Sequence, residues 1–427
     1  MKADLEFKYH TQANKNHESF KKETLLEYLG RFKKIIESES VGFFRLSEDT
    51  TQLKAAKKMF EKFKHKKHFV QVGIGGSALG PQALIDALKS DKKVKFSFMD
   101  NTDSEYIADL LDEVNPQEAL FYIVSKSGGT AETVANFSIA RNFLKKNGIK
   151  EEGLKDHFVF CTDPNSGHLR ELARKEGFAC LEVPSNIGGR FSVLSNVGLL
   201  PALFAGISID DLYAGANDIK ESLLTEDVEE NILLQSAAHI ADLYRTAQPA
   251  VNQTVFMPYS SRLKTLSHWF VQLWGESLGK IRSIDSANVG LTPIPAYGAT
   301  DQHSQMQLFM EGPSDKILMI LEIKNRKTDF ELDSSLGMEP AQKLSPYTLN
   351  QLLEAQINGT LQALKAQKKH VIHMSISENN ARNMGAMALF FESLTALMGE
   401  YLDIDPFNQP GVELGKKYAY EYLKNLS

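Results

Sequence analysis

The chain has 427 residues, a formal net charge of −6, 42% hydrophobic and 24% charged content. That length exceeds one ordinary core and points to two or three domains of about 100 to 200 residues. The acidic balance excludes a general nucleic-acid binder, which would show a basic excess, but leaves room for a local basic pocket holding a small anion. No stretch approaches the ~18 uninterrupted apolar residues of a membrane span. The opening MKADLEFKYHTQANKNHESF lacks the apolar run of a signal peptide, so a cytoplasmic protein is expected. Cys161 and Cys180 suit neither a disulfide framework nor a zinc ribbon and read as reduced thiols.

Residues 1–45 read as a helical lead-in. The lysine-rich stretch after it places Leu53, Ala56, Met59, Phe60 and Phe63 on one helical face, with the lysines solvated. Four short apolar runs follow: HFVQVGIGG (68–76), KFSFMD (95–100), ALFYIV (119–124) and HFVFCTD (157–163). Helical patterns such as AETVANFSIARNFLKK (131–146) lie between several of them. Strands alternating with helices imply a doubly wound α/β fold, a mostly parallel sheet with helices on both faces. Residues 205–235 read as a bridge. A second alternation follows, with strand candidates at 253–260, 316–324 and 370–377 and helices at 261–278 and 381–402. The expected units are 1–45, a first α/β domain over 46–210, a second over 211–402, and a C-terminal helical segment over 403–427 with Pro410 in its first turn.

Six constellations carry possible chemistry. VGIGGSALGP fits neither the dinucleotide loop, because Ala78 holds the third glycine position, nor the Walker A loop, because Pro81-Gln82 replaces Lys-Ser/Thr. What remains is a strand and a glycine turn whose N–H groups, with Gly76 and Ser77, could contact a polar ligand or simply turn the chain. SKSGGTAET supplies hydroxyls at Ser125, Ser127 and Thr130 just where a helix begins, an arrangement suited to a phosphate monoester. In NIGGRFSVLSNVG, Arg190 follows Gly188 and Gly189 and could stabilise a developing negative charge or form a structural ion pair. In WFVQLWGESLGK, Gln272 and Glu276 share a helix face, and Glu276 is either a general base or the i,i+4 partner of Lys280. YGATDQHSQMQLF contains His303, and DPFNQPGVELGKK contains Gln409 and Lys416.

In this order the motifs resemble the glucose-6-phosphate isomerase family over roughly residues 70–417, with NIGGRFSVLSNVG and PFNQPGVELGKK similar to its two signatures. The resemblance implies two doubly wound sugar-isomerase (SIS) domains, a homodimer, and reversible conversion of glucose 6-phosphate to fructose 6-phosphate without metal or organic cofactor. It implies phosphate contacts at Ser125, Ser127 and Thr130, with Lys126 acting through its backbone. Gly76, Ser77, Gly189, Gln272 and Gln409 would contact the sugar. Glu276 would be the base, Arg190 the enediolate stabiliser, and His303 and Lys416 the ring-opening pair, with His303 reaching the neighbouring subunit's site. One departure stands out: Gly129 occupies a position where bacterial relatives usually carry threonine, which removes a hydroxyl and should loosen the turn. Turnover of mannose 6-phosphate, and a sugar-phosphate regulator without turnover, are the competing readings. A regulator needs the phosphate socket but not an acid, a base and an oxyanion partner.

Overall fold

The computed structural model describes residues 2–90 and 93–426. Its strands are β1 (Leu5–His10), β2 (His68–Val72), β3 (Lys95–Met99), β4 (Ala119–Val124), β5 (Phe158–Thr162), β6 (Ala179–Glu182), β7 (Gln253–Pro258), β8 (Lys280–Ile281), β9 (Asn288–Val289), β10 (Thr292–Pro295), β11 (Lys316–Asn325) and β12 (His370–Glu378). The first sheet is parallel, in the order β3-β2-β4-β5-β6. Its central strands β2, β4 and β5 are buried along their whole length, which is why they read as mostly apolar runs. Strand order reverses between β2 and β4, so a crevice opens beyond their carboxyl ends. The two turns that leave those strands are the Gly73–Ser77 turn and the Ser125–Thr130 loop.

The second sheet runs β1-β12-β11-β7-β10, parallel except for β1, and β8 and β9 form a small antiparallel pair. Here the structure corrects the expectation of a wholly helical lead-in. Residues 5–10 add an antiparallel edge strand to β12, and only from Lys22 to Glu37 does the lead-in form a long helix. The alternation in LEFKYH explains the strand: Leu5, Phe7 and Tyr9 pack against the core, and Glu6, Lys8 and His10 take the opposite face. The stretch read as a bridge is also more than a linker. It contains the helix Ile209–Leu224, which crosses the helix Ala381–Tyr401 with no room for a side chain: a Cβ on Gly215 would lie 1.7 Å from the Arg382 carbonyl oxygen, and one on Gly385 1.9 Å from that of Leu212. Pro410 stands in a short 3-10 turn ahead of the C-terminal helix, which begins at Glu413.

The helix Lys264–Leu278 lies between the two sheets. It follows β7, and its buried Trp269, Phe270 and Trp274 join Phe256 and Phe391 in the main core. Its other flank meets the helix Leu79–Leu88 of the first sheet, where a Cβ on Gly80 would come within 3.4 Å of Trp269 Nε1. A helix supplied by the second half thus presents its side chains beside the crevice of the first.

Candidate active site

The site starts from two glycine turns in contact. A Cβ on Gly76 would sit 2.2 Å from the carbonyl carbon of Gly189, so the packing of the turns leaves no room for a side chain at Gly76. Gln71, buried in β2, donates through Nε2 to the Ser77 carbonyl at 2.7 Å and holds the first turn. Gly75 has φ of +59° and lies under Gln272, whose Nε2 would be 2.8 Å from a Cβ there. Gln272 Nε2 donates to Glu276 Oε2 at 3.0 Å, and its own Oε1 is buried without a partner among the described residues.

Glu276 faces Arg190 on its other side: Oε1 is 3.5 Å from Nη1, with the carboxylate 27% exposed and the guanidinium 3% exposed. Arg190 is fixed by hydrogen bonds, Nε to Ser277 Oγ at 2.6 Å, Nη1 to Gln409 Oε1 at 3.1 Å, and Nη2 to the carbonyls of Pro406 and Asn408 at 2.5 and 3.0 Å. Burial lowers its pKa, and Glu276 and Asp405 act in the opposite direction. An arginine so held remains a cation and has its donors already oriented. The i,i+4 pairing of Glu276 with Lys280 is not what forms. Lys280 Nζ donates instead to the main-chain oxygen of Glu276 at 2.6 Å, which leaves the carboxylate to Gln272 and Arg190. A cavity of about 840 Å³ adjoins this cluster, lined among others by Glu276, Lys280, Asp405, Asn408, Gln409 and Gly411.

The hydroxyl loop sits at the end of β4. Ser125 Oγ and Thr130 Oγ1 share a hydrogen bond at 2.9 Å, Ser127 Oγ lies 3.4 Å from Thr130 Oγ1, and the Gly128 N–H donates to Ser125 Oγ at 3.2 Å. Thr130 is the N-cap residue of the helix Ala131–Lys146, yet its hydroxyl turns into the loop and no side chain caps the helix. The first-turn N–H groups and the positive end of the helix dipole are left for an anion. Lys126 points its ammonium to the Ser185 carbonyl at 2.7 Å, and burial lowers its pKa. Its main-chain oxygen accepts from Thr162 Oγ1 and the Asp163 N–H, which ties the loop to β5. Gly128, with φ of +68°, is the residue the turn requires, whereas a Cβ on Gly129 would meet only His168 Cδ2 at 3.5 Å. A side chain would therefore be tolerated at Gly129, unlike at Gly128.

Gly76, Ser77, Gly189, Arg190, Gln272, Glu276 and Gln409 are thus brought together, next to the loop of Ser125, Lys126, Ser127 and Thr130. His303 and Lys416 are not. His303 ends an exposed 3-10 turn, Thr300–His303, and its ring has no hydrogen bond or ion pair among the described residues. Lys416 is exposed and pairs with Glu413 at 2.8 Å on the helix Glu413–Leu426, which buries none of its residues. Ser277, Lys280 and Gln71 escaped the sequence reading as site residues. A serine beside a glutamate and a glutamine inside an apolar strand carry no signal until the fold shows what they hold.

The family model described as phosphoglucose isomerase matches residues 44–427. The chain is 40% identical over 406 residues to a glucose-6-phosphate isomerase of Carboxydothermus hydrogenoformans, covering 91% of this chain and 86% of that protein. Among solved structures it is similar to a hypothetical protein of Thermus thermophilus, with a TM-score of 0.88 and 38% identity over 93% of this chain and 94% of that one. It shares the fold of a Chlamydia trachomatis glucose-6-phosphate isomerase, with a TM-score of 0.84 at 22% identity over 99% of this chain and 89% of the other. The chain belongs to the phosphoglucose isomerase family.

Proposed function

We propose that the protein interconverts glucose 6-phosphate and fructose 6-phosphate by ring opening followed by proton transfer through a cis-enediolate, in glycolysis and gluconeogenesis in the cytoplasm. The observation that carries this reading is the Glu276–Arg190 pair at the foot of the two glycine turns. In the open-chain sugar the Glu276 carboxylate takes the proton from C2. Negative charge builds on the enediolate oxygens, where the prepositioned Arg190 guanidinium stabilises it. Glu276 then returns the same proton to C1 as the hydroxyl proton passes from O2 to O1 and the carbonyl forms at C2, so one carboxylate serves both half-reactions. Gln272 Oε1, buried without a donor, accepts from a sugar hydroxyl, and Gly76, Ser77, Gly189 and Gln409 line the sugar.

The phosphate is held by Ser125, Ser127 and Thr130 and by the uncapped helix start, with Lys126 contributing through its backbone. Its binding energy, remote from C1 and C2, fixes the reacting carbons over Glu276. Ring opening needs a base for the anomeric hydroxyl and an acid for the ring oxygen, roles given to His303 and Lys416. Neither lies at its own chain's Glu276 cluster. In the homodimer we propose, His303 of one protomer reaches the partner's site, and the exposed C-terminal helix folds over the cavity to deliver Lys416. The two halves, 46–210 and 211–402, are taken as SIS domains, and no metal or organic cofactor enters any step. The Glu276–Arg190 pair favours this reading over a regulator, which has no use for a base beside an oxyanion partner.

Turnover of fructose 6-phosphate, coupled to an NADP-dependent glucose-6-phosphate dehydrogenase, tests the reading. Wild type should produce NADPH. Glu276→Gln should fold and bind substrate but turn over about 10² to 10⁴ times more slowly. Near-normal turnover in that variant would remove Glu276 from the base role.

A further inference from the structure

One cation outside that mechanism, Lys280, shares the cavity with Glu276. The helix carrying Glu276 ends at Leu278, and the chain turns directly into β8 at Lys280. The last carbonyls of a helix lack intrahelical donors, and the helix dipole places partial negative charge there. The Gly279 N–H closes on the Gly275 carbonyl at 3.0 Å. The Glu276 carbonyl is met by the ammonium of Lys280, 2.6 Å away. That ammonium is half-buried, and the residue also lines the cavity beside Glu276, Asp405 and Gln409.

We propose that Lys280 is a positioning residue of the isomerase site: while protonated it clamps the last turn of the Glu276 helix through the Glu276 carbonyl, and turnover depends on that charge. The inference rests on Glu276 as the base. A carboxylate that must take a proton from C2 and return it to C1 tolerates little drift, and the residue that fixes its main chain fixes its reach. A displacement near 1 Å typically costs about 10²-fold in rate.

The charges around Lys280 set when the clamp holds. The groups that act on it are Arg190, which disfavours its proton, and Asp405 and Glu276, which favour it. Burial is the largest influence, and the net effect is a pKa pushed down to about 8. A lysine with a lowered pKa is charged below that value and neutral above it. The clamp is therefore in place at neutral pH and weakens as pH rises through about 8. A neutral amine can still donate to the carbonyl, but without the charge that strengthens the bond to a helix terminus.

The experiment measures kcat and KM across about pH 6 to 9.5 for wild type, Lys280→Met, Lys280→Arg and Glu276→Gln, with thermal unfolding of each. In wild type, kcat should fall as pH passes about 8. Lys280→Met should lose about 10- to 100-fold in kcat at neutral pH, with KM little changed and the alkaline fall gone. Lys280→Arg should keep most of the activity and carry it to higher pH, because a guanidinium holds its proton there. An alkaline fall unchanged in both variants would overturn the proposal and leave Lys280 as a helix cap only. If Lys280→Met does not fold, the Lys280→Arg profile alone decides. An active Glu276→Gln would instead sink the base assignment on which the clamp rests, so the two failures are separable.

Discussion

Glu392 shows how much one side chain can conceal. It lies in the middle of the helix Ala381–Tyr401, fully buried, and neither carboxyl oxygen has a hydrogen-bond partner among the described residues. Burial pushes its carboxyl well above the usual carboxylate range, so the folded chain keeps that proton to higher pH than the unfolded chain does. Below about pH 4.5, folded and unfolded chains both keep the proton and no penalty arises. Above that, only the unfolded chain releases it, and stability falls by about 1.4 kcal/mol per pH unit until the folded pKa is reached. Glu392→Gln removes the slope, so its stability relative to wild type should rise as pH increases above about 4.5 in urea unfolding. A difference that stays constant over that range would mean that Glu392 is ionised or partnered in the folded chain. In the sequence this residue is an acid in a mostly apolar helical run that also carries Arg382 and Glu400. Glu276 is the contrasting case: its helix face was legible, but whether it paired with Lys280 depended on where the lysine went, and the lysine went to the main chain.

Among the elements, the hydroxyl loop was legible because its chemistry is local. Small and hydroxylic residues follow a buried strand, and the helix starts where the sequence places it, with Ala131 as its first residue. Ser125 is buried and bonded to Thr130 at the start of the helix, so its hydroxyl is positioned within the loop. Ser125→Ala should raise KM for the sugar phosphate about 10-fold, with a much smaller effect on kcat, because it removes binding remote from the reacting carbons. An equal fall in kcat with unchanged KM would place Ser125 in the chemical step instead. The buried parallel strands were equally legible, since both faces are covered and their residues are mostly apolar. Edge strands were less so: β3 was read at 95–100, but β1, β6 and β10 were not. β1 was taken for helix, β6 has only four residues, and β10 contains Pro293 and Pro295, which sequence rules read against a strand. An edge strand tolerates proline because one side of its backbone needs no ladder partner.

At the level of the whole molecule, the candidate site is shared between parts distant in sequence. Arg190 comes from the turn after the first sheet, Glu276 from a helix after β7, and Gln409 from the segment after the helix Ala381–Tyr401. His303 stands apart from them on the surface, which is the arrangement expected if it serves a second copy. Co-refolding Glu276→Gln and His303→Ala chains tests this directly. Each should be nearly inactive alone, but mixed dimers contain one intact site, so an equimolar mixture should recover about a quarter of wild-type turnover. No recovery would mean that both residues act within one chain.

The sequence alone determined the class of the fold, most of its buried strands, and the residues whose chemistry suits a phosphorylated sugar. These depend on local pattern: apolar runs, glycine turns, hydroxyls at a helix start. Tertiary structure decided which pairs meet. Glu276 faces Arg190 rather than Lys280, Ser277 and the 406–409 segment hold Arg190, Gly76 packs on Gly189, and Lys416 stays out on an exposed helix. Those contacts join segments from tens to more than two hundred residues apart, and no short-range pattern can encode a distance that only the packed layers create.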